Sequence, residues 1–193
     1  MTIRDYIRKD LWNFKPYHAP LKPYDVKMDA NENPFEHDSL VIEKTKKWLN
    51  DKDNITRYPD TDSMVLRKKL AELYNVDSGQ IICGVGSDQL IEYASKCFLE
   101  PGDKILVPNP SFSMYGIACA LNHGVTISYE LDAVFKYNVE EIIEAVKIEK
   151  PKLLFICTPN NPTGSTIGNA EVLRILEAVD CPVVLDEAYD EFV

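Results

Sequence analysis

The sequence of 193 residues predicts an α/β fold, a mostly parallel sheet sandwiched by helices, on three observations. From Ile81 onward, short apolar runs with β-branched residues alternate with longer segments of helical period, the pattern of strands joined by crossover helices. Two of those runs, KLLFIC and VVLDEA, are apolar on successive residues, as strands buried on both faces are. Turn residues, Pro101 with Gly102 and then Gly124, fall between the runs.

Pro16, Pro20, Pro23, Pro34 and Pro59 break the first sixty residues into arm-like pieces. One helix is expected over 39–50 and a second over 63–74, the latter leading into the sheet. Strands are expected over 80–83, 104–107, 126–129, 153–157 and 183–186. Between them, helical period predicts helices over 88–98, 112–121, 139–146 and 170–178; the first carries Leu90, Ile91, Ala94 and Phe98 as the stripe to be buried. The organisation expected is an N-terminal arm with part of a small domain over 1–54 and a large domain over 55–193. An extended, proline-rich arm either reaches a neighbouring subunit or wraps its own surface, and both readings stand. No internal repeat and no low-complexity segment occurs.

Thirty-one acidic against 21 basic residues give a net charge of -10, with no Lys/Arg stretch set among aromatics, so nucleic acid is not an expected partner. The start, MTIRDYIRKDLWNF, has neither the apolar core nor the small-residue cleavage site of a secretory signal, and no run approaches the length of a bilayer span. A soluble, cytoplasmic protein without membrane contact is expected. The five cysteines, Cys83, Cys97, Cys119, Cys157 and Cys181, are widely spaced and mostly in apolar runs, which reads as reduced core thiols. His18, His37 and His123 are scattered, each expected in a loop or at the surface, and no metal is expected.

Four stretches carry chemistry, and each directly follows a predicted strand, where ligand sites of open α/β sheets lie. LLFICTPNNPTG (153–164) ends a strand in two asparagines flanked by prolines; an ordinary Asn-Pro turn is the competing reading. VVLDEAY (183–189) sets Asp186 at a strand end, where a carboxylate calls for a cationic partner such as a protonated ring nitrogen; alternatively Asp186 and Glu187 cap a following helix. CGVGSDQ (83–89) leads from a strand into a helix, so that the amides at Gly86, Ser87 and Asp88 and the Ser87 hydroxyl suit an anion, unless Ser87 or Asp88 is a plain N-cap. PNPSF (108–112) delivers Phe112, either as a stacking face for a flat ring or as ordinary core.

The order and identity of these motifs resemble the aspartate-aminotransferase superfamily, the class I/II enzymes that use pyridoxal 5'-phosphate, and the resemblance covers nearly the whole chain. It implies the aspartate-aminotransferase-like fold and makes 55–193 the cofactor-binding domain. It further implies that Gly86, Ser87 and Asp88 bind the cofactor phosphate and Phe112 stacks on the pyridine ring. Asn161 and Tyr189 would bond the phenolic oxygen of the ring, and Asp186 would pair with the ring nitrogen. The front segments LWNFKPYHAP, MDANENPF and RYPD are similar to the histidinol-phosphate aminotransferases. That likeness implies a homodimer in which Tyr58 reaches the partner subunit's cofactor phosphate, while Tyr17 and Asn31 shape the substrate pocket; packing of the arm is the alternative for all three.

In this family a lysine after the DEAY strand holds the cofactor as a Schiff base and moves the substrate's α-proton. No lysine follows Lys152, so no catalytic residue of that kind is assigned, and the fold is expected to be incomplete at its C-terminus, the front part of a longer enzyme. For that enzyme the resemblance implies transfer of an amino group between L-glutamate and imidazole-acetol phosphate, giving L-histidinol phosphate in histidine biosynthesis. The rivals are threonine-phosphate decarboxylase, another class I/II aminotransferase acting on aromatic or dicarboxylic amino acids, and a non-catalytic protein that keeps a cofactor-binding or dimerising surface; the substrates implied are small-molecule amino acids and phosphates.

Overall fold

The structure is a computed structural model that describes residues 2–15 and 25–193. It divides into two units, Met1–Ile81 and Ile82–Val193. Among its described residues the first has 3-10 turns at Ile3–Tyr6, Lys9–Leu11 and Ser78–Gln80 and three helices, α1 (Ser39–Leu49), α2 (Lys52–Thr56) and α3 (Met64–Tyr74). Asp38 and Asp51 start α1 and α2 by accepting the amides of Leu40 and Asp53, the short-range capping that favours Asp at this position. Arg67 reaches from α3 to the Ser78 carbonyl at 2.6 and 3.0 Å. None of the unit's described residues is buried.

The strand expected over 80–83 does not form. Asp77 and Gln80 close a capping box around the 3-10 turn instead. Ile81 has extended backbone angles (φ -112°, ψ 132°), but extended geometry becomes a strand only through a ladder partner, and among the described residues none pairs with it.

In the second unit the order is α4 (Gly86–Phe98), β1 (Lys104–Asn109), α5 (Met114–Leu121), β2 (Val125–Glu130), α6 (Val139–Glu149), β3 (Leu153–Cys157), α7 (Asn169–Ala178) and β4 (Val183–Asp186). The strands form one sheet in the order β2-β1-β3-β4, every pair parallel, with helices on both faces as expected. Strand residues alternate between faces. Ile105, Val107, Leu153, Phe155 and Cys157 meet Ile91 of α4 and Tyr115, Ala118 and Cys119 of α5. On the other face, Leu106, Leu154 and Ile156 meet Val139, Ile142, Ile143 and Val146 of α6 and Val172 and Ile175 of α7.

Three expectations are corrected. β3 is buried throughout, but β4 is only half-buried, because it is paired on one side alone and borders an open cavity on the other. In α4 the buried residues are Ile91 and Ser95; Leu90 and Phe98 are exposed, since Leu90 turns toward the same cavity rather than the sheet. Of the five free cysteines only Cys119 and Cys157 are buried, while Cys83 and Cys181 are half-buried and Cys97 is exposed. His37 and His123 lie at the surface, and His18 falls outside the described residues.

The turn into β2 is packed to its limit. A Cβ at Gly124 would stand 2.6 Å from the Cys119 sulfur and 3.1 Å from the Asp103 carbonyl oxygen. Gly124→Ala is therefore expected to destabilise the protein by about 1–3 kcal/mol, read from the urea midpoint. An unchanged midpoint would mean that the loop shifts freely. Among the described residues no helix is long and apolar enough to cross a membrane.

Candidate functional site

The site starts with a ladder that stops early. β1 and β3 pair only at Ile105 with Leu153 and Leu106 with Leu154, although they continue to Asn109 and Cys157. The amides of Leu154 and Thr158 go to β4, so by alternation the carbonyls of Phe155 and Cys157 face β1. Continuing the register, they would receive the N–H groups of residues 108 and 110, and both are proline. Tyrosines supply the missing donors: Tyr129 donates to the Phe155 carbonyl at 3.1 Å, and Tyr137 donates to that of Cys157. Burial holds both phenols above their usual pKa, so they remain donors. The parting lies where the chain reverses direction across the sheet, with β2 on one side of β1 and β3 on the other, the switch point at which such sheets bind ligands.

The two asparagines after β3 do different work. Asn160, 2% exposed, ties this loop to the one after β1: its amide nitrogen donates to the Pro110 carbonyl at 3.0 Å and to Thr163 Oγ1 at 2.8 Å, and its Oδ1 accepts from Ser111 at 2.6 Å. Asn161 is half-buried and lines a small cavity together with Ser87, Phe112, Cys157, Asp186, Ala188 and Tyr189.

Asp186 ends β4 and does not cap a helix; Tyr189 precedes the short 3-10 turn Asp190–Phe192, with no side-chain cap. Its Oδ2 accepts from Tyr115 Oη at 2.6 Å and its Oδ1 from the Ala188 amide at 3.1 Å. Burial first, then the hydrogen bond to Asp186, raises the Tyr115 phenol far above its ordinary pKa. Burial likewise pushes the Cys157 thiol up, so at neutral pH it lines the cavity as a neutral group.

At the N-terminus of α4 the capping position is held by Val85, and no side chain caps the helix. Ser87 and Asp88 are thus not N-caps. Gly86 takes φ +75°, a conformation that costs other residues strain, and leads the chain into the first turn, whose amides point out of the helix. A larger cavity of about 480 Å³ lies here, lined by Gly84, Gly86 and Leu90 on one side and Leu185 and Glu187 on the other; it shares Ser87, Asp186 and Ala188 with the small one. Uncapped amides suit an anionic group, a fixed carboxylate suits a protonated nitrogen, and an aromatic side chain suits a flat ring. Asp88 is exposed and lines neither cavity. Among the described residues no group of three or more His, Cys, Asp and Glu could hold a metal.

Residues 24–193 match the sequence pattern of the family aminotransferase class I and II. The chain belongs to that family. It is 44% identical to the histidinol-phosphate aminotransferase of Ruminiclostridium cellulolyticum, covering 98% of this chain and 54% of that one. The chain thus spans about half the length of the curated relatives it matches. The fold matches a crystal structure of histidinol-phosphate aminotransferase from Sinorhizobium meliloti in complex with pyridoxal-5'-phosphate, with a TM-score of 0.77, 24% identity and coverage of 84% and 44% of the two chains. It also matches L-threonine-O-3-phosphate decarboxylase from Porphyromonas gingivalis, with a TM-score of 0.64, 27% identity and coverage of 79% and 44%.

For this class I/II aminotransferase chain, Ser87, Phe112, Asn161, Asp186 and Tyr189 meet at one cavity and Gly86 at its neighbour. Tyr58 and Asn31 belong to the other unit; Tyr58 is 98% exposed and Asn31 is exposed with φ +50°. Tyr17 lies outside the described residues. Sequence reasoning missed Tyr115, Asn160 and Ala188. Tyr115 had a signal, standing three residues after Phe112 and so on the same helical face.

Proposed function

We propose that the protein acts as a histidinol-phosphate aminotransferase, with pyridoxal 5'-phosphate bound where the two cavities meet. One observation carries the reading: five side chains of the cofactor motif line a single cavity at the switch point of the sheet. In this reading the first-turn amides of α4 and the Ser87 hydroxyl bind the phosphate, with Gly86 and Asp88 contributing main chain only. Phe112 lies against the ring face. Asn161 and Tyr189 donate to the phenolic oxygen, and Asp186 accepts the hydrogen of the protonated ring nitrogen. The bound cofactor supplies an electron-withdrawing ring that takes up the electron pair left when a substrate's α-proton departs. Asp186 keeps that ring cationic and moves no proton itself.

The substrate assignment is supported by the relatives' names and by the segments around Tyr17, Asn31 and Tyr58. The first two would shape the pocket for imidazole and phosphate, and Tyr58 would reach the cofactor phosphate of a partner subunit in a homodimer. The test uses the protein as its gene encodes it. It is expected to sediment as a dimer, to turn yellow with pyridoxal phosphate, and to pass the amino group of L-glutamate to imidazole-acetol phosphate. Release of carbon dioxide from threonine phosphate would instead favour the decarboxylase, which one structural likeness also supports. Absence of cofactor binding would overturn both readings.

A further inference from the structure

Tyr115 lines neither cavity, yet two residues that line the smaller one are tied to it. It is fully buried on α5, stacked on Phe155 with ring centroids 4.8 Å apart and 29° between planes. It packs edge-to-face with Phe112, ring centroids 5.8 Å apart and 87° between planes. Its hydroxyl donates to Asp186 Oδ2 at 2.6 Å. A carboxylate has about four lone-pair sites, and here one on each oxygen is occupied, by Tyr115 and by the Ala188 amide. The remaining ones are those available to a ligand at the cavity that Asp186 lines.

We propose that Tyr115 is a positioning residue for recognition of a protonated ring nitrogen: its hydroxyl fixes the orientation of the Asp186 carboxylate, and its ring backs Phe112. The face that meets a flat ligand and the group that meets its nitrogen are thereby aligned on one rigid side chain. The phenol stays protonated across the working pH range, so its hydroxyl remains the donor in this contact. This rests on the proposed cofactor.

The experiment compares pyridoxal 5'-phosphate with its 1-deaza analogue, which has carbon in place of the ring nitrogen and offers Asp186 nothing. In the gene-encoded protein, the ratio of the two dissociation constants is expected to favour pyridoxal phosphate. Tyr115→Phe, which keeps both ring contacts, is expected to shrink that ratio about five- to tenfold, the net effect of one typical hydrogen bond. A merely structural role would weaken both ligands alike and leave the ratio unmoved. In an Asp186→Asn background, Tyr115→Phe should add nothing to the change in ratio. If Tyr115→Phe does not accumulate in folded form, 3-fluorotyrosine incorporated at position 115 serves instead. Its fluorine resonance should shift when Asp186→Asn is introduced, and a fixed resonance overturns the proposal. A wild-type protein that binds both ligands equally overturns the cofactor reading along with this one. A wild-type preference that Tyr115→Phe keeps in full overturns this one alone.

Discussion

Asp186→Asn is expected to slow the glutamate half-reaction on the order of 10²–10³-fold, the scale seen when a single preorganised electrostatic contact is removed. The substitution preserves volume, and the amide oxygen can still accept from Tyr115 and hold that phenol in place. The exposed position then presents an N–H₂ group, which cannot accept the hydrogen of a cationic ring nitrogen. The electron-withdrawing state of the ring loses its counter-charge, while the packing of Tyr115 on Phe155 is untouched. Single-turnover absorbance in the gene-encoded protein measures the rate, and the thermal midpoint controls for folding. A rate within about threefold of wild type, with the midpoint unchanged, would remove Asp186 from its assigned task.

The second large effect concerns stability and separates two adjacent residues of one type. Asn160→Ala is expected to cost about 2–4 kcal/mol, because the change deletes three hydrogen bonds of a buried side chain that joins two loops and takes their partner from the half-buried Pro110 carbonyl and Ser111. Asn161→Ala, at a half-buried position facing the cavity, is expected to move stability by no more than about 0.5–1 kcal/mol and to weaken pyridoxal phosphate binding. Urea titration of both variants decides the matter. Equal losses would mean that the loop tolerates the change at Asn160, and the division of labour between the two would be wrong.

Much of the fold was legible, for identifiable reasons. β3 and β4 occupy the residues expected of them, because apolar runs bounded by polar or proline residues leave little freedom in register. The helices of the second unit begin and end within three residues of expectation. What failed depends on neighbours that sequence pattern does not name. Whether residues 80–83 become a strand depends on a partner, as does whether β4 is covered on both sides. Leu90 is as apolar as Ile91 and both border the larger cavity, yet only Ile91 is buried against the sheet.

The site was legible where a motif follows a strand end, as at Phe112, Asn161 and Asp186, since the sheet itself gathers those positions, whereas Ser87 reaches the cavity without the strand expected before it. It was opaque one layer back. In TPNNPTG nothing local distinguishes the asparagine that stitches loops from the one that faces the cavity, and the spacing of Tyr115 from Phe112 does not say that its hydroxyl meets Asp186.

The early end of the β1–β3 ladder has a consequence for how the site tolerates change. Pocket and sheet compete for the same backbone groups: where strands zip together there is no crevice, and where they part every freed carbonyl must find another hydrogen. The prolines at 108 and 110 withhold that hydrogen from one side, and Tyr129 and Tyr137 provide it from the other. None of these four lines the small cavity, yet together they satisfy the backbone groups left where the two strands part. A substitution that gives residue 108 back its N–H would therefore act on ligand binding as a change in the spacing of two strands, remote from every atom the ligand touches.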